Sequence, residues 1–148
     1  MNCPICGSTD LNTTNSRSTR SNTQTWRRKE CQKCHSTITT YEKPDMAWLN
    51  IKDSARSSQM PYKRFLLSKS ILEAFGNQDS SETDVDSLVD SIEIKLIGRK
   101  KTTIERQELI AIVLKTLKPV SINAYMHYLA AHTQPHNQRE LNKLIKAL

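Results

Sequence analysis

Apolar positions are spread unevenly along the chain, and the unevenness divides it in two. Up to about residue 45, Ile5, Leu11, Trp26, Ile38 and Tyr41 are nearly all there is to bury. They are scattered through stretches of Thr, Ser and Asn that suit short strands and turns. Beyond that point the pattern changes. Residues 47–52 read as a strand, and 53–58 as a polar turn. Over 62–75 the positions Phe65, Leu66, Ile71, Leu72 and Phe75 approximate helical spacing, with Gly76 as a stop. Thr83 and Asp86 resemble a capping box opening a second helix, whose apolar face is Val85, Leu88, Val89, Ile92 and Leu96 and whose end is Gly98. A third helix is predicted from Thr102, capping toward Glu105, to Leu117, where Pro119 stops it. A fourth covers 121–131, and a short amphipathic one covers 138–148.

Composition narrows the function classes. The formal net charge is +7, a modest bias toward polyanions. The longest apolar run, Leu109 to Leu114, is far short of the roughly 20 residues that span a bilayer. The start, Met1-Asn2-Cys3-Pro4, has neither a basic segment nor an apolar one, so no signal peptide is expected and the protein is expected to be cytoplasmic. The three glycines, Gly7, Gly76 and Gly98, are far apart, which excludes the clustered-glycine loops that cradle phosphate.

All four cysteines lie in the first 34 residues, as Cys3-Pro-Ile-Cys6 and Cys31-Gln-Lys-Cys34, with 24 residues between the pairs. Two such pairs supply four soft ligands to one tetrahedral zinc ion. A segment this poor in apolar residues needs such a staple. The alternative, two disulfides, is disfavoured in a chain without a secretory signal. His35 adjoins Cys34, but with four thiolates available it reads as a surface residue. One zinc per chain on Cys3, Cys6, Cys31 and Cys34 is therefore expected. Four thiolates also close the coordination sphere, leaving no position for a catalytic water, and His127, His132 and His136 have no apparent nucleophile. An enzyme is not expected.

Between Leu11 and Tyr41 stand Arg17, Arg20, Arg27, Arg28, Lys29 and Lys33 against the single acid Glu30. Arginine forks suit phosphate oxygens and guanine edges, and Trp26 beside Arg27 could stack on a base. The bland alternatives are a solvated charged face and a tryptophan serving as core. Concentration of the charge in a metal-stapled module favours nucleic acid, with Arg17, Arg27, Arg28 and Lys29 as the candidate contacts.

Taken together these residues resemble the NrdR-type transcriptional repressors of ribonucleotide reductase genes. Members begin Met-x-Cys-Pro-x-Cys-Gly, as Met1 to Gly7 do. An Asp-Ser-Arg segment is echoed by Asn15-Ser16-Arg17, an arginine-rich run before the second pair by Arg27-Arg28-Lys29-Glu30-Cys31, and Phe-Thr-Thr-Tyr-Glu by Ile38-Thr39-Thr40-Tyr41-Glu42. Further on, 80–85 and Ala124 to Tyr128 resemble two helices of the family's second domain. The resemblance implies an α+β protein: a small zinc ribbon at 1–45, a mostly helical ATP-cone at 46–136, and a terminal helix at 137–148. It also implies duplex DNA as partner, homo-oligomers, and ATP or dATP in the cone near Ile51, Lys52, Lys63 and Tyr125.

Several positions depart from the family pattern. Gln59-Met60-Pro61-Tyr62 stands where Arg-Glu-Pro-Phe is usual, Leu66 replaces a lysine, and Gly76-Asn77-Gln78 replaces Lys-Arg-Pro. A triphosphate needs paired cations or amides, so weakened nucleotide binding is expected. Lys63, Arg64 and the Arg99-Lys100-Lys101 loop are the candidates to compensate. A competing reading is a ribbon module whose degenerate cone serves only for docking or dimerisation.

Overall fold

The computed structural model describes residues 1–18, 22–76 and 82–133, and the chain divides into two units, Met1–Asp45 and Met46–Leu148. The helix expected at 137–148 lies outside the described residues. The fold is α+β: strands and a four-cysteine cluster make up the first unit, and helices dominate the second.

Strands β1 (Leu11–Ser18), β2 (Thr25–Cys31) and β3 (Thr37–Glu42) form an antiparallel meander in the first unit. The register is continuous from Thr25↔Glu42 to Glu30↔Thr37 across β2 and β3. Between β1 and β2 it slips at Thr14, whose hydroxyl donates to the Arg28 carbonyl at 3.2 Å. Among the described residues of this unit, only Cys3 and Cys31 are buried in the hydrophobic sense. The meander has no core of its own.

The second unit does. β4 (Asn50–Asp53) pairs antiparallel with β5 (Ser58–Pro61) and parallel with β6 (Thr103–Glu105), in the order β5-β4-β6. Four helices complete it: α1 (Arg64–Phe75), α2 (Glu82–Ile97), α3 (Arg106–Leu117) and α4 (Ile122–His132). One contiguous cluster joins them, with Leu49, Ile71, Val89, Ile92, Leu96, Val113 and Leu117 fully buried. α2 contributes the face expected from its spacing, Val85, Leu88, Val89, Ile92 and Leu96. Ser121 caps α4, its hydroxyl accepting from the Ala124 N–H at 3.2 Å.

Four elements differ from the sequence reading. Residues 46–48 are a short 3-10 turn, and the strand starts only at Asn50. The turn expected at 53–58 ends one residue sooner, because Ser58 opens a strand, Ser58–Pro61, to which β4 offers a hairpin partner. α2 begins at Glu82, so Thr83 lies within the helix rather than at its cap. The segment Thr103–Glu105, expected as the start of a helix, is β6, and α3 starts at Arg106. Thr and Ile are β-branched and suit a strand, but the parallel pairing Ile51↔Ile104 that recruits them is long-range. The buried face of α1 also differs. Leu67, Ile71 and Ala74 are buried, whereas Phe65 is 75% exposed and Leu66 and Leu72 are each 48% exposed.

Candidate metal centre, nucleic-acid face and cone cavity

Two tight turns build the metal centre, and they are near copies of each other. In the first, the Gly7 N–H donates to the Cys3 carbonyl at 2.9 Å; in the second, the His35 N–H donates to the Cys31 carbonyl at 2.8 Å. Both fifth residues lie in the left-handed region, Gly7 at φ +73° and His35 at φ +57°. His35 is therefore a turn residue. Its side chain is 75% exposed and its Nδ1 lies 3.6 Å from Glu30 Oε1, on the outside of the turn.

The four sulfurs all lie within 4.8 Å of one another. Cys3 Sγ is 3.7 Å from Cys34 Sγ, and Cys6 Sγ is 3.6 Å from Cys31 Sγ. A disulfide would bring a pair to about 2.05 Å. A zinc–sulfur distance of about 2.3 Å gives a tetrahedral edge of about 3.8 Å, which is the spacing found. Free thiols so arranged fit one zinc ion, and the ribbon is a zinc-binding module. The Ser36 hydroxyl, 3.3 Å from Cys34 Sγ, and the Ser36 N–H lower the Cys34 thiol to about 6. Burial and the three neighbouring sulfurs push the Cys6 thiol the other way, up to about 12.

The basic run does not act as one patch. In an extended strand, successive side chains alternate faces, so Arg27 and Lys29 point one way and Trp26 and Arg28 the other. Arg27 forks onto Glu42, Nε to Oε1 at 2.7 Å and Nη2 to Oε2 at 3.2 Å, and its Nη1 donates to Ser16 Oγ at 3.2 Å. The pairing holds the Glu42 carboxyl below its usual range. On the opposite face one rung reads Arg17↔Trp26↔Tyr41, and the next reads Asn15↔Arg28↔Thr39. Arg17 and Arg28 are exposed, Trp26 is half-buried, and Tyr41 is 60% exposed. Of the four sequence-predicted contacts, Arg17 and Arg28 thus share a face with two aromatic rings, and Arg27 and Lys29 do not. Tyr41 escapes sequence reasoning as a surface ring because its partner across the sheet is set only by register.

In the second unit a cavity of about 350 Å³ opens between the β4–β5 hairpin, α1, α3 and α4. That lies in the ordinary range for small-molecule sites, roughly 300–1,000 Å³. Ile51, Met60, Leu67 and Leu109 supply apolar wall, while Arg56, Lys63 and Arg106 bring three cations and Asp53 one carboxylate. At one end Tyr128 and His132 pair their rings at a centroid distance of 4.2 Å. Burial, then the nearby Arg106 guanidinium, lowers the His132 pKa.

Of the four sequence-predicted nucleotide residues, Ile51 and Lys63 line this cavity. Lys52 does not; it stands 3.6 Å from Glu105 on the neighbouring strand β6. Nor does Tyr125, which is 6% exposed in the core, while Tyr128 three residues later lines the cavity. Helical rotation accounts for the exchange. Other candidate substitutes are engaged elsewhere. Arg64 binds Glu93, Asp90 at 2.9 Å and Asp86 at 3.2 Å, and the Tyr62 hydroxyl donates to the same Glu93 at 3.0 Å. Arg99 and Lys101 stand 3.3 and 3.5 Å from Glu108. Arg56 and Arg106, which line the cavity beside Lys63, carry no periodic signal in the sequence; they meet only because β4 pairs with both β5 and β6.

Comparison with known proteins bears directly on these sites. The family described as "Transcriptional repressor NrdR-like, N-terminal domain" matches residues 1–42, which contain all four cysteines and the meander. Over nearly the whole chain, the transcriptional repressor NrdR of Halomicrobium mukohataei is 31% identical, covering 99% of this chain and 93% of the relative. That of Halorubrum lacusprofundi is 32% identical with the same coverage. That of a Thermoanaerobacter species is 30% identical, covering 99% and 94%. These relatives are named as transcriptional repressors, which are regulators rather than enzymes. The thiolate cluster, the ribbon that carries it and the full-length likeness place this chain in the NrdR family of zinc-ribbon, DNA-binding transcriptional repressors.

Proposed function

We propose that this chain represses ribonucleotide reductase genes, binding duplex DNA through the ribbon face that carries Arg17, Trp26, Arg28 and Tyr41. The target is the one implied by the family resemblance. The observation that carries the DNA contact is the rung Arg17↔Trp26↔Tyr41 with Arg28 beside it, which puts two guanidinium groups and two rings on one side of a rigid sheet. Guanidinium groups fix the ribbon on phosphates or read guanine edges, and the rings add contact area against sugar or base.

The second unit is proposed to take an adenine nucleotide in the cavity lined by Ile51, Lys63, Arg56 and Arg106, with apolar wall for the base and cations for the phosphates. It is also proposed to assemble homo-oligomers through apolar side chains left exposed on α1 and α4, among them Phe65 and Ile122. A nucleotide alters repression only to the extent that it binds two assemblies unequally.

Fluorescence anisotropy with a labelled duplex from upstream of a ribonucleotide reductase gene, against a shuffled duplex of equal length, tests the first part. Tighter binding to the promoter duplex, falling steeply as salt rises, is expected. Equal affinity for both duplexes would remove the target. Light scattering with and without ATP or dATP tests the second part, and an unchanged mass with either would separate assembly from nucleotide.

A further inference from the structure

Asp53 stands where an anionic ligand would want nothing but cations. It is the last residue of β4, its side chain is only 17% exposed, and it lines the cavity together with Arg56 and Arg106. Its Oδ2 lies 3.2 Å from Arg106 Nη1 and 3.8 Å from Arg56 Nε. Its Oδ1 accepts from the Arg56 backbone N–H at 3.3 Å, which closes the turn between β4 and β5. One carboxylate therefore has two separable jobs. One oxygen shapes the turn, and the other neutralises the two guanidinium groups in the cavity.

We propose that Asp53 is an internal competitor for the cavity's anionic ligand, so that a phosphate binds at Arg56 and Arg106 only by displacing the Asp53 carboxylate. This rests on the reading of the cavity as an adenine-nucleotide site and assigns the residue that sets its affinity. Lys63 is the remaining cation of the wall and stays available to the incoming phosphates. The exchange swaps one charge-assisted pair for another, so much of the attraction of the two arginines is already spent within the protein. A phosphate approaching them also meets a like charge. Affinity is consequently low, and occupancy responds to nucleotide at high rather than trace concentration. Because Arg56 sits in the turn that Asp53 closes, ligand entry also releases the link between that turn and the first residue of α3.

Asp53→Asn tests this cleanly, since the amide oxygen can still close the turn while the charge is gone. Calorimetry on the full, zinc-loaded chain in magnesium-free buffer would compare ATP, AMP and adenosine. Asp53→Asn is expected to tighten ATP by about tenfold or more, AMP by less, and adenosine not at all. Asp53→Glu, which keeps the charge, should stay close to the unaltered chain. Asp53→Ser, which also retains a turn acceptor, serves if the amide variant fails to fold by circular dichroism. ATP binding that is measurable in the unaltered chain but no tighter in the folded neutral variants would overturn the competitor role alone. An equal gain for adenosine would do the same, because it would mark a change of shape rather than of charge. No heat with any nucleotide, in any variant, up to millimolar concentration would overturn both the role and the nucleotide site.

Discussion

The two units reach a folded state by different means. The ribbon buries little beyond Cys3 and Cys31 and is tied together at one end by four sulfurs. The helical unit buries a contiguous cluster that runs from Met46 to Tyr128 and needs no staple. In the ribbon, most of the folding free energy is metal ligation, because a meander of three short strands has too little apolar surface to offset its chain entropy. In the helical unit it is burial, spread over many side chains. One depends on a single ion; the other on a core to which many side chains contribute.

Removing the metal should expose the contrast most strongly. Structural zinc in small modules contributes on the order of 10–16 kcal/mol. Cys31→Ser is expected to abolish stoichiometric zinc and to unfold the ribbon, while the helical circular-dichroism signal of the second unit persists. Metal analysis with residue-resolved NMR checks it, and loss of helix together with zinc would show that the units fold as one.

The complementary variant is Ile92→Ala, at a fully buried site on α2. A loss of about 2–5 kcal/mol from the second unit is expected. Urea unfolding should show it, with zinc content unchanged.

Within the ribbon, the two sheet faces should separate. Arg28→Ala is expected to flatten the log–log salt dependence of duplex binding by about 0.9 if that side chain meets one phosphate. Arg27→Ala should change it much less, since Glu42 and Ser16 already hold that guanidinium. A larger effect from Arg27 would move the interface to the other face.

The smallest effect concerns His132, whose pKa is lowered from about 6.5 by burial and by Arg106, with Glu73 opposing and Tyr128 stacked on the ring. A depressed histidine pKa means that the unfolded chain binds the proton more readily. Stability is therefore fully present above about pH 6.5, is lost as the pH falls from there to the lowered value, and then levels off. The second unit's unfolding temperature should fall modestly as the pH drops below about 6.5, and His132→Gln should flatten that slope.

Residue identity and local spacing sufficed for much of this molecule. Four cysteines in two tight pairs specify their own chemistry, because a tetrahedral ion asks only that the pairs meet and each turn presents its two sulfurs unaided. The apolar stripe of α2 was equally plain, being set by spacing within a few helical turns. The paucity of apolar residues before residue 45 marked where one unit ends and another begins, since a core cannot be built from five scattered side chains.

Tertiary structure decided the outcome wherever it depends on a distant partner. The strand at Thr103–Glu105 exists because β4 is there to receive it, although local capping signals argued for helix. Leu67 rather than Leu66 became core in α1 because packing, not composition, selects the buried face among crowded apolar positions. Strand alternation and cross-strand register split Arg27-Arg28-Lys29 between two faces, and gave Arg27 to Glu42 from fifteen residues away. The cavity is the extreme case. Asp53 and Arg56 share one turn, but Arg106 and Tyr128 come from distant parts of the sequence, and no periodicity links them to it. Their charges acquire meaning only when a parallel strand pair and a hairpin bring them within a few ångströms, where Coulomb attraction becomes strong enough to choose partners.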